Sequence, residues 1–183
     1  MRLLRSDVLL VIVDMQERLL PVIDRHEAVT SNVERLIRGA RVLDIPLLIT
    51  EQYVKGLGPT VASLREALEQ TSGYRPIAKS SFSAYANGEF QAELRSIRRK
   101  HIVLCGIETH VCVYQTATDL LAAGQEVTLV GDAVSSRVAS NREIALQRLT
   151  SEGARLSSTE MLLFELLGES DSDTFRAVLK IVK

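Results

Sequence analysis

Six consecutive apolar residues, Val8 to Val13, ended by Asp14, make the first strong pattern in the chain. An uninterrupted run of that length predicts a central parallel strand covered on both faces. Ser31-Asn32-Val33-Glu34 then reads as a capping box, with Val33, Leu36, Ile37, Ala40 and Leu43 following at helical spacing before Pro46 closes the turn. Leu47 to Ile49 predicts a second short strand, and Glu51 to Pro59, with its glycines and proline, a loop leaving that strand's carboxyl end. Ser63 to Leu68 predicts a helical turn or two, broken by Gly73 to Pro76. Ile77-Ala78-Lys79 is a short apolar stretch leading into a polar loop, Ser80 to Gly88, and Phe90, Leu94 and Ile97 mark the next helix. Ile102 to Cys105 reads as a buried strand closed by Gly106. After Ile107-Glu108-Thr109-His110-Val111-Cys112 comes a helix with Val113, Ala117, Leu120 and Leu121 on one face, stopped at Gly124. Val127 to Val130 is the next strand, ending in Gly131-Asp132-Ala133, with Val134 to Arg137 as a loop. Ser140-Asn141-Arg142-Glu143 is a second capping box, opening a helix that stops at Gly153. Leu156 begins a short edge strand at most. Ser157 to Glu160 is a third box, Met161 to Leu167 is helical, and a last helix from about Ser172 buries Phe175, Val178, Leu179 and Val182.

Strands near residues 8, 47, 102 and 127 alternate with helices. That order predicts the α/β class: a doubly wound, mostly parallel sheet with helices on both faces, a Rossmann-like three-layer arrangement. No repeat, low-complexity segment or linker interrupts it. At 183 residues the chain is long enough for one domain and short for two, so residues 1–183 are read as a single domain.

Composition narrows the functional classes. Apolar residues are 46% and charged residues 25%, the balance of an ordinary globular protein. Twenty-two basic against 23 acidic residues leave a net charge of −1, with no electrostatic footprint for nucleic acid, and aromatic platforms for bases are few. The first apolar run is far too short to span a membrane and no small-residue cleavage site follows it, so no membrane partner is expected and the protein reads as cytoplasmic. In that compartment a disulfide between Cys105 and Cys112 is disfavoured, and no metal-ligand spacing is present.

Candidate chemistry gathers at one edge. In open α/β sheets ligands bind beyond the carboxyl ends of the strands, which is where Asp14 stands; as a lone residue it serves equally well as a turn cap. Cys112 falls in or near the first turn of its helix. Unpaired N–H groups and the helix dipole there favour an anion, so its thiol is expected to be acidified into a nucleophile; the other reading is a thiol that fills space in the core. Lys79 is placed at the same edge, with a solvated charge as its alternative. His110, two residues before Cys112, points to a different helix face and is read as a surface or substrate-contacting group rather than the base. His26 and His101 flank regular elements and join no constellation.

Three ordered motifs carry a resemblance. Val11-Ile12-Val13-Asp14-Met15-Gln16, Ala78-Lys79-Ser80-Ser81-Phe82-Ser83 and Gly106-Ile107-Glu108-Thr109-His110-Val111-Cys112-Val113 resemble the aspartate, lysine and cysteine segments of the isochorismatase-like hydrolase superfamily. Gly124 and Gly131-Asp132-Ala133 match further along. Thr50 to Thr60 is similar to the group containing the isochorismatase domain-containing proteins. The resemblance departs from two branches. The nicotinamidases bind a metal just after their second strand, where this chain has Glu51-Gln52-Tyr53, and the true isochorismatases lack the cysteine.

The resemblance implies a catalytic triad of Asp14, Lys79 and Cys112, with an oxyanion hole near Glu108 and Cys112. It also implies a non-proline cis peptide between Ile107 and Glu108 that aims one of the donors. Gln16, Gln52, Tyr53, Phe82 and His110 are candidates to contact substrate. The expected activity is metal-independent, cofactor-free hydrolysis of a small non-peptide amide or related C–N bond through a Cys112 thioester, by a homo-oligomer. The apolar stripe Leu162, Leu163, Phe164, Leu166 and Leu167, too broad for one core contact, points the same way on assembly. Vinyl ether hydrolysis and a non-catalytic redox or scaffold role are the rivals.

Overall fold

The computed structural model describes residues 2–71 and 74–183. These form strands β1 (Val8–Val13), β2 (Leu47–Gln52), β3 (Ile77–Lys79), β4 (His101–Ile107), β5 (Glu126–Ser135) and β6 (Arg155–Ser157). The helices are α1 (His26–Val42), α2 (Val54–Leu57), α3 (Ala62–Glu69), α4 (Gly88–Ile97), α5 (Tyr114–Ala122), α6 (Ala139–Ser151), α7 (Thr159–Leu167) and α8 (Asp173–Val182).

All strand pairs are parallel, in the order β3-β2-β1-β4-β5-β6. The chain winds outward from β1 to β3, returns to the centre at β4 and winds outward the other way. The topological switch point therefore lies between β1 and β4, the place at which open α/β sheets generally bind their ligands. β1 is buried along its whole length. Val8, Leu10 and Ile12 pack on the face covered by α1, α3, α7 and α8, while Leu9, Val11 and Val13 pack on the face covered by α4, α5 and α6. A strand buried on both faces needs a continuous apolar run, which is why this one was legible.

Several boundaries differ from the sequence reading. α1 begins at His26, five residues before the proposed capping box, because Val29 extends the buried stripe of Val33, Leu36, Ile37 and Ala40 by one turn. α6 begins at Ala139 without a side-chain cap, so Ser140 lies inside its first turn. The cap of α7 is Ser158, whose hydroxyl accepts from Met161 N, rather than Ser157. Ser172 caps α8 where expected. Of the predicted break at Gly73 to Pro76, Gly73 falls outside the described residues, and Tyr74 to Pro76 carry no regular structure.

Two strands were under-read. Ile77–Lys79 is an edge strand, paired from Thr50↔Ile77 to Gln52↔Lys79. β5 continues to Ser135 through a bulge: its register moves from Leu104↔Leu129 to Gly106↔Val134. Asp132, in the bulge, accepts hydrogen bonds from Thr159 N at 2.8 Å and Thr159 Oγ1 at 2.9 Å, tying β5 to the start of α7. The Arg142 guanidinium donates to the carbonyls of Val134 and Gly131, beyond the end of the β5–β6 pairing.

The stripe on α7 is covered within the chain. Leu162, Leu163 and Leu166 are buried in the core, and the Phe164 ring meets Phe175 of α8 at a centroid distance of 6.4 Å. Its breadth reflects two intramolecular contacts, so the sequence argument from this helix to a second subunit does not hold.

Candidate active site

β1 ends at Asp14, which takes a left-handed backbone conformation (φ 52°) and so leaves the strand direction at once. Its N–H still donates to Thr50 O at 3.1 Å. The carboxylate is fully buried and both oxygens are engaged: Oδ1 accepts from the Thr50 hydroxyl at 2.7 Å, and Oδ2 from Lys79 Nζ at 2.7 Å. Lys79 closes β3, and its side chain is as inaccessible as that of Asp14. Its ammonium also donates to Gln52 Oε1 at 2.8 Å, Phe82 O at 3.1 Å and Ser81 O at 3.3 Å.

The other wall comes from β4. Gly106 has φ 111°, and a Cβ there would collide with the Val13 carbonyl oxygen and lie 2.7 Å from the Val13 nitrogen. Only glycine lets the ends of β1 and β4 approach so closely. The Ile107–Glu108 peptide bond is cis. A single π-helical turn, Thr109–Val113, follows, and α5 continues from it, so Cys112 sits in a wide turn ahead of the regular helix. The Glu108 carboxylate is buried and accepts from the Arg137 backbone N–H at 2.9 Å and from Arg137 Nε at 3.2 Å.

The charges of Asp14 and Lys79 both act on the Cys112 thiol, yet it is not acidified. Burial, reinforced by the negative charge of Asp14, pushes it up to about 12; the Lys79 ammonium opposes this and is outweighed. This corrects the expectation of a depressed thiol. The lysine's charge is largely balanced by the carboxylate it holds, and the helix end does not offset the loss of water around a buried residue that is only 6% exposed. Cys105, wholly buried in β4, is raised further, by desolvation alone.

The substrate-contact candidates divide. Gln16 is fully buried: Nε2 donates to Gln52 O at 2.9 Å and Gly58 O at 2.6 Å, and Oε1 accepts from Gln52 N at 2.7 Å. It braces the backbone. Gln52 is likewise committed, to Lys79 and, through Nε2, to Ser80 O at 2.8 Å. Tyr53 and Phe82 are 63% and 53% exposed, on the loops leaving β2 and β3. His110 is half-buried and shares a 2.9 Å hydrogen bond between Nδ1 and Ser136 Oγ. Glu51 turns to the opposite side of β2 from Thr50 and Gln52, where its Oε1 accepts from Thr60 N at 2.6 Å, Thr60 Oγ1 at 2.8 Å and the Tyr74 hydroxyl. Thr50, Ser136 and Arg137 were not singled out from sequence. Only Thr50 carried a usable signal, as the strand residue just before the loop motif.

Among the described residues no group of three or more histidine, cysteine, aspartate or glutamate side chains is placed to hold a metal ion, and no helix is long and apolar enough to cross a membrane. A parallel six-stranded sheet with helices on both faces, and a buried carboxylate–ammonium pair at its switch point, defines a three-layer α/β protein. The chain belongs to the isochorismatase-like superfamily: the family described as the Isochorismatase domain matches residues 8–161. It is 40% identical over 182 residues to isochorismatase domain-containing protein 2 of Danio rerio, covering 99% of this chain and 89% of that one. Among solved structures it resembles the MAR1 ribonuclease of Caenorhabditis elegans, at 37% identity and a TM-score of 0.91, covering 100% of this chain and 92% of that one. It also resembles YcaC of Pseudomonas aeruginosa, solved with hexane-2,5-diol and covalent acrylamide, at 28% identity and a TM-score of 0.90, covering 98% and 91%.

Proposed function

We propose that the protein is a metal-independent hydrolase that cleaves a small non-peptide amide or related C–N bond through a thioester on Cys112. The observation that carries this reading is the buried Asp14–Lys79 pair, 2.7 Å apart, whose two charges act on the Cys112 thiol. At rest the thiol is protonated. As its sulfur attacks the substrate carbonyl, the proton passes to Asp14, and Lys79 keeps the carboxylate in place. The developing oxyanion is met by backbone N–H groups near Glu108 and Cys112. Collapse breaks the C–N bond; the amine departs with the proton held on Asp14 and leaves the acyl group on sulfur. Water then adds to the thioester, giving its proton to Asp14. A second collapse releases the carboxylic acid, and the sulfur takes back its proton.

Acrylamide is both an amide and a thiol-seeking electrophile, so its covalent presence in YcaC of Pseudomonas aeruginosa supports a nucleophile in this superfamily. Vinyl ether hydrolysis needs no thiol and leaves Cys112 without a role. The relative from Caenorhabditis elegans is named a ribonuclease. A net charge of −1 and a buried Cys112 favour a small amide over an RNA strand in this chain.

The test is a screen of small amides, ureides and an RNA oligonucleotide against wild type and Cys112→Ala. Turnover of an amide or ureide that survives EDTA and is abolished in Cys112→Ala is expected. An amide-hydrolysing Cys112→Ala protein, or activity lost with a chelated metal, overturns the reading.

A further inference from the structure

Gln52 was a candidate to contact substrate, and its geometry gives it a different task. Gln52 and Lys79 are paired across β2 and β3, so their side chains emerge on the same face of the sheet. Lysine has a long flexible stem and a point charge, and nothing in its own chemistry fixes where the ammonium rests. Around Lys79 Nζ stand Asp14 Oδ2 at 2.7 Å, Gln52 Oε1 at 2.8 Å and two carbonyls at 3.1 Å and 3.3 Å. Gln52 is thus the closest uncharged acceptor. Its amide is held from the far end as well, because Nε2 donates to Ser80 O at 2.8 Å. Turned over, the amide would set N–H against the ammonium and oxygen against the carbonyl, so a single orientation satisfies both partners. Gln16 in turn grips both the N–H and the carbonyl of Gln52.

We infer that Gln52, braced by Gln16, is a positioning residue that holds the Lys79 ammonium against Asp14, where its charge acts on Cys112. This rests on the reading that those three residues form the working group. The charged groups that act on the thiol are Asp14 and Lys79. Glu108 is closed on Arg137, and His110 shares its bond with Ser136. Lys79 is therefore the cation through which a change at Gln52 reaches Cys112.

The experiment follows the rate at which iodoacetamide modifies Cys112 as a function of pH, by peptide mapping, in wild type, Lys79→Ala, Gln52→Met and the double variant, with circular dichroism confirming the fold. Gln52→Met keeps the length of the side chain and removes both amide contacts; Gln52→Ala replaces it if the methionine variant does not fold. In Gln52→Met the profile is expected to move to higher pH in the direction of Lys79→Ala, with labelling about three- to tenfold slower at about pH 9. In the Lys79→Ala background the Gln52 substitution is expected to add nothing, since it acts through the lysine. A profile unmoved by Gln52→Met while Lys79→Ala moves it overturns the inference alone. Additive shifts in the double variant also overturn it, by assigning Gln52 a merely structural part. A profile unmoved by Lys79→Ala itself removes the triad reading and this inference together.

Discussion

Cys112 is held as a neutral thiol, and the sign of its dependence on neighbours is open to test. Because Asp14 raises the thiol and Lys79 lowers it, Asp14→Asn is expected to speed labelling of Cys112 by iodoacetamide near neutral pH, and Lys79→Ala to slow it. Cys105, enclosed in β4, is expected to stay unlabelled while the fold persists. Peptide mapping after brief exposure distinguishes the two sulfurs, and equal labelling would refute the assignment. The raised thiol also enters stability. The folded chain resists an ionisation that the unfolded chain undergoes near pH 8.5, so this contribution is full below about pH 8.5 and is lost as pH rises towards about 12. Urea unfolding of Cys112→Ala is expected to show a shallower alkaline loss than wild type. At this scale Asp14, Lys79 and Cys112 were legible from three motifs. The direction of the thiol's shift was not, because it depends on how completely the residues around the sulfur exclude water.

Strands and helices were legible where burial is continuous and illegible where a local motif competes with packing. β1 and β4 declare themselves through unbroken apolar runs, whereas β3, three residues at an edge, carries too few positions for a period to show. The capping boxes at Ser31 and Ser140 misled because serine and glutamate at that spacing also occur within exposed helical turns. The pairing of β1 with β4 hinges on Gly106. Gly106→Ala is expected to cost at least about 3 kcal/mol or to prevent folding, since the added methyl meets backbone rather than a side chain that can move. Urea denaturation measures it, and a loss below about 1 kcal/mol would show that the two strands can separate at little cost. At the start of β4, His101 is buried against Thr128 Oγ1 at 2.7 Å. Burial lowers its pKa, with Glu126 opposing. Its contribution to stability is therefore present above about pH 6.5 and lost as pH falls below it, and His101→Gln is expected to flatten that part of the acid limb in thermal melts.

At the scale of the whole molecule, the sheet order brings together groups distant in sequence, so the fold class could be predicted from alternating patterns while the site's contacts could not. We propose that the chain assembles as a homo-oligomer, now without any help from α7. What supports it is family membership together with Tyr53, Phe82 and Val138, each more than half exposed on loops at the carboxyl edge of the sheet. Light scattering at micromolar protein is expected to give a multiple of the 20.2 kDa chain mass, and a monomer would refute it. The protonated sulfur at the switch point has a consequence for life in a cell. Peroxide attacks thiolates, and a thiol kept neutral and enclosed presents almost none. On the proposed mechanism the resting protein is expected to tolerate peroxide, its sulfur open to oxidation only in the brief interval after its proton has passed to Asp14.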